Sequence, residues 1–136
     1  MKVHHFPVRH SQVEIFIKGP ELFDRMLKDI EKARHHIHML FYIFRNDSFG
    51  KKVIQLLEKK AAEGVEIRIL LDWLGSFLFP RKVMKELKQK GIHIQFCHTP
   101  RLPFYFYKLQ CRNHRKITVI DGKIGFLGGL MLVRSI

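Results

Sequence analysis

At 136 residues, 46% hydrophobic and 27% charged, the chain has the apolar content of one folded core, which excludes a disordered segment and leaves no room for two full domains. Lysine and arginine number 25 against 12 acidic residues, a formal charge of +13. A field of that sign favours phosphate-bearing partners, nucleic acid or acidic lipid headgroups, and does not choose between them.

In chain order, VEIFI at 13–17 alternates weakly and is rich in β-branched residues, predicting a strand. Pro20 opens a helix at its first turn, and Leu22, Phe23, Met26, Leu27, Ile30 and Ala33 recur at helical spacing. HIHMLFYIF at 36–44 is almost continuously apolar, the pattern of a strand buried on both faces. Asp47 or Ser48 caps a second helix with Val53, Ile54, Leu57 and Ala61 inward, and Gly64 follows its end. VEIRILLDW at 65–73 predicts the next buried strand. A third helix runs from Pro80 through Lys90, Gly91 stops it, and IHIQF forms another strand. A loop rich in proline and aromatics leads to HRKITVI, a tight turn at Asp121-Gly122, and the returning strand KIGFLGG. Strands alternating with helices predict an α/β fold: a mixed, mostly parallel sheet flanked by helices on both faces, with an antiparallel hairpin closing the series. The domain is expected over 13–130, after an extension at 1–12 and before a tail at 131–136.

The chemistry concentrates in that hairpin. On a strand, alternate side chains share a face, so His114 and Lys116 point the same way, with Thr118 beyond them. An imidazole beside an ammonium makes a cationic pocket suited to phosphate: Lys116 neutralises oxygens while neutral His114 serves as nucleophile or proton carrier. Asp121 has the opposite parity and is expected to orient a group or fix the turn. An H-x-K-x4-D spacing arises by chance on the order of once in thirty such chains; adding Gly128-Gly129 at the right distance lowers that to roughly one in ten thousand.

NHRKITVIDGKIGFLGG resembles the HKD signature of the phospholipase D superfamily, and the chain is similar to the first catalytic half of bacterial cardiolipin synthases. FYIFRND at 41–47, AAEGVEIRILLDWLGS at 61–76 and RLPFYFYKLQCRNHRKI at 101–117 extend the likeness. The resemblance implies a metal-free, cofactor-free phosphatidyl transfer. One HKD histidine forms a phosphohistidine with phosphatidylglycerol, a second motif's histidine protonates the departing glycerol, and a second phosphatidylglycerol accepts, giving cardiolipin. By position His114 matches the motif histidine, Lys116 the phosphate-binding lysine and Asp121 the aspartate, the three expected catalytic positions; Asn113, Thr118 and the pair Gly128, Gly129 are the expected substrate-binding positions. The pattern's following asparagine is replaced by Met131, whose thioether donates no hydrogen bond.

One motif supplies one imidazole where the reaction needs two, so the resemblance implies a second HKD half or a homodimer as partner. The sequence ends soon after the glycine pair, which reads as a truncated or frameshifted fragment, inactive by itself, with MLVRSI out of family register. The competing enzyme reading is a homodimeric single-motif phosphodiesterase or nuclease; the non-enzyme reading is a basic module binding anionic membrane or nucleic acid, with nucleic acid ranked behind phospholipid. RLPFYFYK interleaves aromatic and basic residues and fits an interfacial loop, base stacking or packing on the domain. HHIH at 35–38 reads as core or edge histidines rather than a metal site, and Lys51, Lys52, Lys59 and Lys60 as a solvated helix face. The longest apolar run, 69–79, is interrupted by Asp72 and Gly75 and is too short to cross a bilayer, and the start carries no apolar signal region. The expected location is therefore peripheral, at the cytoplasmic face of the membrane, with Cys97 and Cys111 reduced.

Overall fold

The computed structural model describes residues 11–97, 99 and 115–128. Helices α1 (Gly19–Glu31), α2 (Ser48–Ala62) and α3 (Arg81–Gln89) alternate with strands β1 (His36–Phe41), β2 (Glu66–Asp72) and β3 (His93–Cys97); the hairpin β4 (Lys116–Ile120) and β5 (Ile124–Gly128) follows. All five strands join one sheet in the order β3-β2-β1-β4-β5. β1, β2 and β3 are parallel, β4 is antiparallel to β1, and β5 is antiparallel to β4.

Local chemistry sets the element ends. Pro20 lies in the first turn of α1, where its missing N–H is harmless. The Asp47 carboxylate accepts from the N–H groups of Phe49 at 3.1 Å and Gly50 at 2.8 Å, capping α2. Gly64 and Gly91 stand just past α2 and α3 at φ +89° and +83°, a backbone conformation that a side chain would strain.

Handedness then decides where the helices go. Each crossover, β1-α2-β2 and β2-α3-β3, steps one strand in the same direction, so right-handed connections put both helices on one face. α1 packs against α2 on that side. Met26 and Ile30 of α1, Val53 and Leu57 of α2 and Leu87 of α3 join Ile37, Ile67, Leu71, Ile94 and Ile120 of the sheet in a single buried core.

Four expectations change. Residues 13–17 form no strand: Val13, Ile15 and Ile17 are 84–93% exposed, and an alternating pattern without a partner strand gains no ladder hydrogen bonds. β1 ends at Phe41 rather than Phe44, because the Tyr42 carbonyl and the Phe44 N–H both bond the Ser76 hydroxyl, each at 2.9 Å. Helices cover one face of the sheet only among the described residues. On the other face Leu40, Leu70, Ile117 and Val119 line an open groove of about 620 Å³, rimmed by His38 and Arg68. Lys60, expected on a solvated face, is buried; its ammonium donates to the Glu31 carbonyl at 3.0 Å and pairs with Glu63.

Candidate active site at the carboxyl edge of the sheet

The parallel strands β1, β2 and β3 all end at one edge. β4 runs the other way, so its first residue, Lys116, emerges at that same edge. Leu40 pairs with Ile117, and Lys116 pairs with Gly128 of β5. α2 and α3 begin where β1 and β2 finish, and α1 precedes β1 through a short connection, so all three helix N-termini, with their positive dipole ends, face this edge. α2 and α3 carry no acidic residue in their first turns. Open α/β sheets bind ligands at the carboxyl edge where the connections change direction, and β1, with β2 on one side and β4 on the other, is that point here.

Lys116 is half-buried on the helix-covered face. It shares a cavity of about 20 Å³ with Phe23 and Met26 of α1, Phe41 of β1, and Thr118 and Gly128 of the hairpin. No carboxylate of the described residues forms an ion pair with it. Apolar walls around an unpaired ammonium lower the local dielectric and strengthen its pull on an incoming anion. Thr118, one strand repeat further in, is 1% exposed, and its hydroxyl has no hydrogen-bond partner among the described residues. Gly128 opposite Lys116 adds no side chain to crowd that ammonium.

Asp121 lies at the far end of β4, roughly 16 Å from Lys116 at about 3.3 Å per residue. Its carboxylate accepts from three consecutive backbone N–H groups, of Arg34 at 2.9 Å, His35 at 2.8 Å and His36 at 3.0 Å. Partial burial alone would push its pKa up; the three donors and the nearby His35 outweigh it and hold the carboxyl at about 2. Asp121 and Gly122 both have positive φ, 53° and 64°, and close the hairpin turn. The motif's aspartate therefore ties the hairpin to the start of β1, at the opposite end of the strand from the motif's lysine. Lys116, Thr118 and Gly128 come together; Asp121 does not join them. His114, Asn113 and Gly129 lie outside the described residues, as do Cys111 and the RLPFYFYK loop.

Residues 26–132 match the family described as cardiolipin synthase, PLD-like domain. The chain belongs to that family. It is 42% identical over 130 residues to the minor cardiolipin synthase ClsB of Bacillus subtilis, covering 96% of this chain and 33% of that protein. It is 40% identical over 119 residues to the cardiolipin synthase of Listeria innocua, covering 88% of this chain and 25% of the relative. The chain thus spans a third or less of the length of these curated relatives. The fold is similar to that of Nuc from Salmonella typhimurium, a phospholipase D family member, with a TM-score of 0.61 at 19% identity over 85% of this chain and 69% of the other.

Within this cardiolipin synthase PLD-like domain, sequence reasoning passed over the residues that build the edge beside Lys116. The carboxylate of Asp72, wholly buried at the end of β2, accepts from the Leu74 N–H at 3.1 Å and the Gly75 N–H at 3.4 Å. A Cβ on Gly75 would sit 2.1 Å from the Tyr42 carbonyl oxygen, so only glycine fits. Ser76 bridges Tyr42 and Phe44, joining the ends of β1 and β2. The D-x-x-G-S spacing inside a predicted strand end was the available signal; its partners lie about thirty residues away and have no trace in local pattern. Among the histidines of 35–38, His35 and His36 donate their backbone N–H groups to Asp121 at the start of β1, and His38 Nε2 lies 3.5 Å from Glu66 on the open face.

Proposed function

We propose that this domain binds the phosphodiester of an anionic phospholipid at Lys116 and provides the first HKD half of a cardiolipin synthase. The observation that carries the reading is a half-buried ammonium that no described carboxylate pairs, opposite Gly128 at the edge of the sheet that the helix N-termini also face. Chemically this is a preorganised phosphate cradle: its positive groups are held by strands and helices, so little reorganisation is needed as charge develops on the phosphoryl oxygens.

In the proposed reaction the imidazole of His114 attacks phosphorus of phosphatidylglycerol. A phosphorus–nitrogen bond forms, the bond to the glycerol headgroup breaks, and the alkoxide takes a proton from a second imidazole. That imidazole then accepts the proton of the incoming hydroxyl of another phosphatidylglycerol, whose oxygen displaces His114 and yields cardiolipin. Lys116 stabilises charge on the non-bridging oxygens through both steps. Thr118, Gly128, Gly129 and Asn113 shape the cradle, and Asp121 holds the strand that presents it. The second imidazole comes from a second HKD half or from a second copy of this chain. With lipid as substrate, the domain works at the membrane surface, on the cytoplasmic side; among the described residues no helix is long and apolar enough to cross it.

The test is covalent trapping. The chain is mixed with phosphatidylglycerol carrying radioactive phosphorus, and acid-labile, base-stable label on protein is counted. Label on the wild type that disappears in His114→Ala supports the reading. A folded protein that takes no label, alone or with a second HKD half supplied, contradicts it. Label obtained only from single-stranded DNA assigns the site to the nuclease alternative.

A further inference from the structure

The segment between β2 and α3, residues 73–79, places apolar side chains in solvent on a rigid frame. Leu74 is 38% exposed, Phe77 53% and Leu78 73%, and the rings of Trp73 and Phe77 stand 6.4 Å apart. This is not a loose loop. The Trp73 N–H donates to the Cys97 carbonyl at 3.1 Å, and Asp72 holds Leu74 and Gly75. At the far end Phe79 is 2% exposed, with its ring 5.4 Å from that of Phe44. The scaffold fixes both ends of the segment and leaves its apolar tip outside the core.

The tip stands at the same edge of the sheet as Lys116, and its surroundings are cationic. α3 opens with exposed Arg81 and Lys82 and continues to Lys85; α2 carries exposed Lys51 and Lys52 near its N-terminus. An exposed phenylalanine and two exposed leucines, beside a half-buried tryptophan and at the sheet edge where these cationic helix starts lie, match the two demands of a lipid interface. The apolar groups enter the headgroup–acyl boundary while the cations stay with the anionic headgroups.

We propose that residues 73–79 are the membrane-contact element of this domain, inserting Leu74, Phe77 and Leu78 into an anionic bilayer so that Lys116 faces the headgroup phosphates. The inference rests on phospholipid being the substrate, and it adds which surface meets the bilayer.

Trp73 is the chain's single tryptophan, so its emission reports on this segment alone. The full chain is mixed with vesicles of phosphatidylcholine containing phosphatidylglycerol, and with vesicles of phosphatidylcholine only. The expected result is a blue shift of Trp73 and quenching by brominated acyl chains with the anionic vesicles, and a much weaker response with neutral ones. Phe77→Ser with Leu78→Ser is expected to weaken vesicle partitioning by about tenfold or more, since two exposed apolar side chains lose their burial. Because both are exposed, the circular dichroism spectrum stays unchanged. Lys116→Ala keeps the shift, which separates surface contact from the phosphate chemistry. The inference is overturned by a folded protein whose Trp73 emission ignores anionic vesicles, by partitioning that survives the double substitution, or by a blue shift that follows protein concentration without lipid. The last result makes the tip a contact between copies. Phosphohistidine label from detergent-dispersed lipid, together with any of these, leaves the proposed reaction standing and removes only the contact element.

Discussion

The two ends of β4 are built to opposite rules. At the Asp121 end the polar group at the turn is satisfied: a carboxylate held by three backbone N–H groups, in a turn whose positive φ values fall on an aspartate and a glycine. At the Lys116 end demands are left open, with an ammonium that no described carboxylate pairs and, one repeat inward, a buried threonine hydroxyl without a described partner. A satisfied group stabilises the fold; an unsatisfied one is available to a ligand. One short strand thus separates the part of the motif that holds the hairpin from the part proposed to bind phosphate.

Substitutions at the two ends should therefore separate activity from stability. The largest effect is expected for Lys116→Ala, which removes the charge proposed to stabilise the phosphoryl oxygens. The labelling rate should fall by about 10²–10³-fold, with a melting temperature within a degree or so of wild type. Asp121→Ala should do the reverse. It takes the acceptor from three N–H groups, two of them open to water, and should cost about 1–2 kcal/mol in chemical denaturation, while the folded fraction keeps its phosphate affinity. The same end predicts a pH response. The Asp121 carboxyl lies at about 2 in the folded chain against an ordinary 3.8, so its stabilisation is complete above about pH 4 and is lost as pH falls through 2. Asp121→Asn should flatten that part of the acid-unfolding curve.

Smaller effects sharpen the contrast. Gly122→Ala is expected to cost about 1 kcal/mol from its φ of +64° alone, because an added Cβ would meet only the His36 ring, at 3.8 Å. Thr118→Val should leave the melting temperature unchanged or slightly raised, since it discards a buried hydroxyl with no described partner to lose. If the same variant weakens phosphate binding, Thr118 belongs to the cradle; if binding is intact, its place there is lost.

The sequence reading did best where local chemistry decides. Pro20, the Asp47 cap, Gly64 and Gly91 announce helix ends through their own backbone preferences, and the structure has them there. The Asp121-Gly122 turn and the Lys116 strand were equally legible, because turn conformation and strand parity are properties of neighbours in sequence. What failed depended on distant partners. VEIFI has the composition of a strand, but a strand is defined by the edge it joins. HIHMLFYIF reads as one strand through Phe44 because nothing in it reveals that Ser76 captures Tyr42 and Phe44. The same apolar run implies two covered faces, whereas successive right-handed crossovers in one direction put the described helices on one. Asp121 sits at the turn as its parity implies, but the groups it holds, the N–H groups of Arg34 to His36, lie more than eighty residues upstream and leave no local trace.

The comparison between the two ends of β4 is decided most directly by following backbone amide resonances while a soluble short-chain phosphatidylglycerol is added. Shifts that saturate at Lys116, Ile117, Leu127 and Gly128, with the 121–123 turn unmoved, are the predicted result. Perturbation centred on the Asp121 turn or the open groove, or no saturable change in a folded chain, would contradict it.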